Sequence, residues 1–260
     1  MWDIFKDWIF YVIQFFDGMV GDWGLAIIVV TVIFRLLVWP LMAKQARSNY
    51  QMQKIQPQIS KLQEKYADDK VRLNEEMQKL YANAKFNPLA GCLPILLQMP
   101  IFMALFQVLR EMGGREELQG RDFSFYGLVP NLTQTPSGAL EEGIVAFIPY
   151  VILMIIFAGA TFFPMLQAQL KNKNNPQRKQ TLIMGVVMTV FMLWISWGSP
   201  AGVLLFWGVS SLIGIGQNQL TLSRCRRKDA EEEAAKALEA QPIEVDVVRK
   251  PKKKRPNKKR

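Results

Sequence analysis

Five stretches of this 260-residue chain are too long and too apolar for a soluble core: residues 25–42, 89–109, 145–166, 182–197 and 200–218. Each is close to the roughly 20 apolar residues that cross the hydrocarbon layer of a bilayer as a helix. Helices satisfy their own backbone groups, so they are the natural way for such segments to span lipid. Gly198-Ser199-Pro200 separates the last two stretches and predicts a tight helical hairpin. The expected fold is an all-α polytopic membrane protein with five transmembrane helices, over residues 23–43, 88–110, 144–169, 181–198 and 199–219.

Charge sets the expected orientation. Lys and Arg number nine in residues 44–85, four in 171–179 and fourteen after residue 218. The opposite side carries only Lys6, Arg115 and Arg121, with Arg110 at the end of the second span. The positive-inside rule then places the N-terminus outside and the C-terminus in the cytoplasm. The chain has no histidine, which removes imidazole from any triad, proton relay or metal site. Cys92 and Cys225 have neither CxxC spacing nor histidine partners, so the expectation is no metal, no cofactor and no catalytic set.

The segments between the spans differ in character. Within residues 1–22, Asp3, Lys6, Asp7, Gln14 and Asp17 share one narrow helical arc with Phe10, and the remainder is mostly aromatic or aliphatic. That pattern predicts an interfacial amphipathic helix on the outer leaflet. The first residues lack the basic region and cleavage site of a secretory leader. Residues 44–87 repeat apolar positions every three or four residues in two runs broken by Ala67-Asp68-Asp69-Lys70, as in a coiled-coil-like helical hairpin. Pro57 predicts a kink or a restart in its first arm. This hairpin reads either as a solvated spacer or as a partner-binding arm for lipid headgroups or nucleic acid.

The outer loop, 111–143, shows no sign of a substantial folded domain, and 170–180 is a short basic turn. Residues 220–260 form a basic tail expected to be largely disordered, with an Ala/Glu-rich stretch that favours transient helix. The tail ends in a block containing Lys252, Lys253, Lys254, Arg255, Lys258, Lys259 and Arg260. Such a block contacts RNA or anionic lipid without reading sequence, or simply enforces topology.

Arg35 stands within the first apolar stretch. A guanidinium stays charged at any relevant pH, and insertion scales put its cost near a helix centre at roughly 2.5–3.5 kcal/mol. It lies about 10 Å from the cytoplasmic end of its helix, so snorkelling to the headgroups is one solution. No Asp or Glu occurs inside any span, so no buried ion pair neutralises it there. Other helices place polar groups at similar depth: Gln98, Gln167 with Gln169, and the stripe Trp207, Ser210, Ser211, Gly214, Gln217 and Asn218. Taken singly, these read as interhelical hydrogen bonds and packing. Together they suggest a hydrophilic groove open to the cytoplasm, with the apolar outer halves of the helices sealing the far side.

Four stretches carry a family resemblance. They are Ile33-Phe34-Arg35-Leu36-Leu37-Val38-Trp39-Pro40-Leu41; Asn87-Pro88-Leu89-Ala90-Gly91-Cys92-Leu93-Pro94-Ile95-Leu96-Leu97-Gln98-Met99-Pro100-Ile101-Phe102; Phe162-Phe163-Pro164-Met165-Leu166-Gln167; and Pro200-Ala201-Gly202-Val203-Leu204-Leu205-Phe206-Trp207. In order and spacing the chain resembles the YidC-type membrane protein insertases, which include the mitochondrial Oxa and plastid Alb proteins. It is similar to their short Gram-positive-like form, although the lipoprotein cysteine common in that form is missing. The resemblance implies five helices around a cytoplasm-open groove, with Arg35 as its fixed charge and Gln98, Gln167, Trp207, Ser210 and Ser211 in its lining.

It also implies a non-enzymatic insertase and chaperone of a bacterial plasma membrane, working on nascent membrane proteins without nucleotide hydrolysis. Implied partners are the translating ribosome, anionic lipid and the Sec translocon. Three rivals are weighed against it, one of them a passive anchor that tethers ribosomes through the basic tail; the other two use polar residues of the spans. One is an ion or small-molecule transporter using Arg35 as an anion site, which would need access from both sides. The other is an intramembrane hydrolase using Ser196, Ser199, Ser210 or Ser211, for which the spans offer no His or Lys base.

Overall fold

The computed structural model describes residues 1–84, 93–112, 114, 115, 118, 120–171 and 178–239. Its helices are α1 (Trp2–Val20), α2 (Trp23–Lys65), α3 (Lys70–Asn83), α4 (Leu93–Met112), α5 (Pro136–Glu142), α6 (Ile144–Lys171), α7 (Arg178–Trp197) and α8 (Ala201–Glu239). Among the described residues there is no strand, and Phe125 and Val129 form an isolated antiparallel bridge. Four described helices, α2, α6, α7 and α8, are long and apolar enough to cross a membrane. The second expected span is represented by α4; residues 88–92, with Cys92, lie outside the described residues.

α2 is one helix of 43 residues, so no break separates the first expected span from the first arm of the hairpin. Nor does it restart at Pro57. A proline in a helix strips the carbonyl four residues back of its partner. Here that residue is Gln53, exposed like Pro57 itself, so water can satisfy the orphan. α3 turns back after residues 66–69, near the expected break. Ile55 and Ile59 are buried on the first arm, and no residue of α3 is.

Contacts divide the chain into two compact units, Met1–Ser223 and Arg224–Arg260. In the second unit, residues 224–239 are helical, with Arg227 Nε 2.7 Å from Glu231 Oε1 one turn on. The tail was expected to be largely disordered from residue 220; instead helix continues to Glu239. Ala, Glu, Lys and Arg are strong helix formers, and summed over this stretch their propensity is sufficient reason. The basic block with Lys252, Lys253, Lys254, Arg255, Lys258, Lys259 and Arg260 lies outside the described residues, as do 172–177 of the second loop.

Packing in the first unit is lopsided. The buried cluster takes Trp23, Ala26 and Ile27 from the start of α2, Ala104–Met112 positions from the end of α4, and Tyr150, Leu153 and Phe157 from the first half of α6. The opening turns of α8 add Ala201 and Val203 to Phe206. All of these lie at the end that carries segment 111–143, which contributes Leu118, Val129, Leu132 and Ala139. This segment also satisfies backbone groups. The Ala201 and Gly202 N–H groups donate to Gln134 O at 2.9 Å and Leu132 O at 2.8 Å. Those are orphan donors of the α8 N-terminus, which would otherwise stay unpaired in a buried place.

Asp22 caps α2 through Oδ1, which accepts the Leu25 N–H at 2.7 Å. Its Oδ2 accepts the Tyr126 N–H, also at 2.7 Å. Tyr126 sits at φ 43°, a left-handed conformation that costs a side-chain-bearing residue about 1–2 kcal/mol and that the Asp22 contact offsets. Beside it the Phe125 ring lies so close over Gly24 that a Cβ there would overlap it.

α1 turns its polar arc inward. Lys6 Nζ lies 2.7 Å from Glu111 Oε1, Arg115 Nη2 lies 3.0 Å from Asp7 Oδ1, and Arg121 Nη1 lies 3.2 Å from Asp17 Oδ2. Trp2 Nε1 donates to Gln107 Oε1 at 2.8 Å. Phe10, the apolar residue on that arc, is fully buried with the Arg115 guanidinium 4.2 Å from its ring centre. Ile4, Trp8, Tyr11, Phe15 and Met19 stay exposed on other faces.

Burial pushes the Asp17 carboxyl above its ordinary range; Arg121 opposes this and Asp22 adds to it. Arg121→Gln therefore removes the one contact favouring the carboxylate, and the carboxyl rises further. Because a raised carboxyl disfavours the charged folded state, the variant should lose most stability above that titration. The loss should shrink as pH falls through it. Thermal unfolding in detergent against pH checks this; a loss independent of pH would show that Arg121 acts through packing alone.

Candidate functional site

At the other end of the bundle, polar side chains from α2, α4 and α8 meet. A cavity of about 200 Å³ is lined by Arg35, Gln98, Trp207, Ser210 and Ser211, together with Met42 and Met99. Five of the six groove residues expected from sequence thus share one space. The two methionines were not anticipated. An apolar, flexible side chain in an apolar helix carries no signal of its own.

Arg35 is tied to α8 at several points. Its Nε donates to Ser210 Oγ at 2.6 Å, and Ser210 is only 2% exposed. The Gln217 amide nitrogen donates to the Arg35 carbonyl oxygen at 3.1 Å, fixing the α2 backbone at the same level. Gln217 Oε1 is buried and without a partner among the described residues. The guanidinium lies against Gly214: a Cβ built there would be 3.3 Å from Nη1 and 3.6 Å from Cζ and Nη2. Among the described residues no carboxylate forms an ion pair with Arg35.

Trp207 is held by rings from two other helices. Its centroid is 5.3 Å from that of Phe102 on α4, at 89°, and 5.6 Å from that of Phe157 on α6, at 65°. Such edge-to-face pairs add about 0.5–1.5 kcal/mol each beyond the area they bury. Trp207 therefore marks where the packed end of the bundle meets the cavity.

Gln167 stands apart. It does not line this cavity; its Oε1 accepts a hydrogen bond from Gln219 Nε2, linking α6 to α8. A polar side chain in an apolar helix announces that it needs a partner, and the nearest partner here is another amide. The Gln169 side chain lies outside the described residues. Ser196 and Ser199 are each 1% exposed, and their hydroxyls donate to Leu193 O and Ile195 O at 2.7 and 2.9 Å.

This arrangement lies within a recognisable family. The family model described as 60Kd inner membrane protein matches residues 15–228. The chain belongs to that family. The membrane protein insertase YidC of Haemophilus influenzae is 36% identical over 227 residues, covering 87% of this chain and 38% of its own length. The corresponding protein of Marinobacter nauticus is 37% identical over 209 residues, covering 80% of this chain and 33% of its own. A crystal structure of an active YidC insertase with its first transmembrane domain resolved has TM-score 0.61 and 27% identity, over 85% of this chain and 46% of that one. The chain therefore spans under four-tenths of the length of these two curated relatives. The resemblance to the YidC/Oxa-type family and the all-helical membrane fold expected from sequence both stand.

Trp207→Ala removes both edge-to-face pairs and leaves a void at the junction of α4, α6 and α8. Stability should fall by about 3 kcal/mol, the low end for a large aromatic because the ring is only partly buried. Trp207→Phe should recover more than half of that. Chemical unfolding in detergent measures both, and a loss under 1 kcal/mol for the alanine variant would mean the rings contribute little.

Proposed function

We propose that this protein is a membrane protein insertase whose working site is the cavity around Arg35. The observation that carries this reading is a cation anchored through Nε beside a cavity that Gln98, Trp207, Ser210 and Ser211 also line, with no carboxylate partner among the described residues. A charge in that position attracts an incoming anion. A nascent segment with a short acidic outer terminus fits: the terminus enters from the cytoplasm, and Arg35, Gln98, Ser210 and Ser211 shorten the apolar path it must cross. The apolar part of the segment then partitions sideways into lipid, and that transfer drives release. The names and fold of the relatives support this reading.

In this scheme the N-terminus is outside and the C-terminus cytoplasmic, and five helices surround the groove, α4 completing the set. The tightly packed end, closed by segment 111–143, faces outward. Insertion uses no nucleotide and no catalytic residue. Ser196 and Ser199 are sealed against backbone carbonyls, and Ser210 is engaged by a guanidinium that cannot serve as a base. Nascent chains reach the site from the ribosome through the basic hairpin and tail. Anionic lipid competes for the same charges, and the Sec translocon is a further partner. A chaperone role follows from holding a segment before release.

Two measurements test this. Photocrosslinkers at Gln98 and Trp207 should capture a ribosome-bound membrane segment, while one at the exposed Trp194 should not. In proteoliposomes without nucleotide, Arg35→Ala should lower insertion of substrates with acidic outer termini about tenfold, the loss of one charge-assisted contact. Neutral substrates should change far less. Equal insertion of both substrates by the variant would remove attraction from the mechanism.

A further inference from the structure

A long, flexible arginine can reach many places, so an insertase that uses its charge must also hold the guanidinium still. Rotamer freedom of such a side chain is worth up to about 2 kcal/mol, and an unanchored Arg35 would reach for the headgroups instead. α8 supplies the restraint through Ser210, Gly214 and Gln217, at positions one turn apart on a single face.

We propose that Ser210 and Gly214 are positioning residues for Arg35, fixing its guanidinium so that both terminal nitrogens present to a carboxylate. This rests on the insertase reading and names what sets its preference for acidic termini. Ser210 Oγ accepts from Nε, the nitrogen not needed for a fork-shaped pairing. No side chain among the described residues pairs with Nη1 or Nη2. Gly214 gives room: with a Cβ there, Nη1 would stand 3.3 Å away, tighter than an ordinary contact, and the group would have to move. Gln217 holds the Arg35 carbonyl, so the α2 backbone yields less readily than the side chain. A Cβ at 214 would thus meet the guanidinium first and shift its tip by a few tenths of an ångström. Gly216 supplies the contrast, with nothing within 4 Å of an added Cβ.

The full chain in proteoliposomes decides the matter, given two single-span substrates that differ only in carrying two Asp or two Asn in the outer terminus. Gly214→Ala and Ser210→Ala should each lower the acidic-to-neutral insertion ratio about threefold, because a displaced fork loses part of a charge-assisted pair. Gly216→Ala should keep the wild-type ratio, which separates this effect from the general influence of alanine on a helix. Insertion of the neutral substrate monitors folding. A wild-type ratio in both the Gly214 and Ser210 variants overturns the positioning role alone, as does equal loss of both substrates. A wild-type protein that inserts neither substrate overturns the insertase reading, and this inference with it.

Discussion

A guanidinium among apolar helices must be solvated by something, and the first unit is organised around how that is done. No carboxylate is spent on Arg35 within the described residues. A neutral serine and a glycine hold it, with an amide on its own backbone carbonyl. A buried ion pair would have settled the charge at the cost of cancelling it. Hydrogen bonding to Nε anchors the group and keeps its field. The same choice explains why Gln98, Ser211 and Trp207 gather beside it: a net charge facing an apolar wall would be far more costly than one facing amides, hydroxyls and an aromatic face.

On the insertase reading, such a cavity is one-sided only if the other end of the bundle is closed. The closure is built from segment 111–143, which looked featureless in sequence. Leu132 and Gln134 cap α8 with backbone carbonyls, Asp22 holds the 125–129 turn, and three ion pairs fasten α1 to residues 111–121. These contacts are polar, yet they cross an apolar packing of large side chains. Phe10 stacks on Trp23 along the seam and Phe123 meets Trp23 at a tilt, with Arg115 over Phe10. The core beneath the loop and the cavity beside Arg35 thus occupy different levels of the same helices.

The sequence made the cavity legible because apolar helices turn every polar residue into an outlier. Arg35, Gln98, Ser210 and Ser211 stood out for that reason, and they do converge. Gln167 stood out equally and does not join them, since polarity reveals the need for a partner but not which partner. The α1 latch was hidden for another reason: its partners lie about a hundred residues away, so Asp7 or Asp17 alone read as a solvated face. The α8 caps were invisible because a backbone carbonyl has no residue signature. Pro57 misled because the rule against proline in helices concerns an orphaned carbonyl, and at Gln53 that carbonyl can reach water. Helix beyond residue 220 is hard to read because the charged residues that mark a solvated tail are also strong helix formers.

The cavity joins two opposite mechanical properties. Its cation is held by Ser210 and lies against Gly214, with Gln217 on the backbone carbonyl, while Met42 and Met99 on the cavity wall are among the most adaptable apolar side chains. On the insertase reading this division is what many unrelated substrates require. Electrostatic recognition depends on where a charge sits, so rigidity there sharpens discrimination between acidic and neutral termini. Apolar contact depends on shape, and substrate helices differ in shape, so softness there widens the range admitted. A site rigid throughout would serve few segments, and one soft throughout would let the guanidinium swing to the headgroups. On that reading, anchoring the charge on α8 and leaving the thioethers free would let a single groove be selective in one respect and permissive in the other.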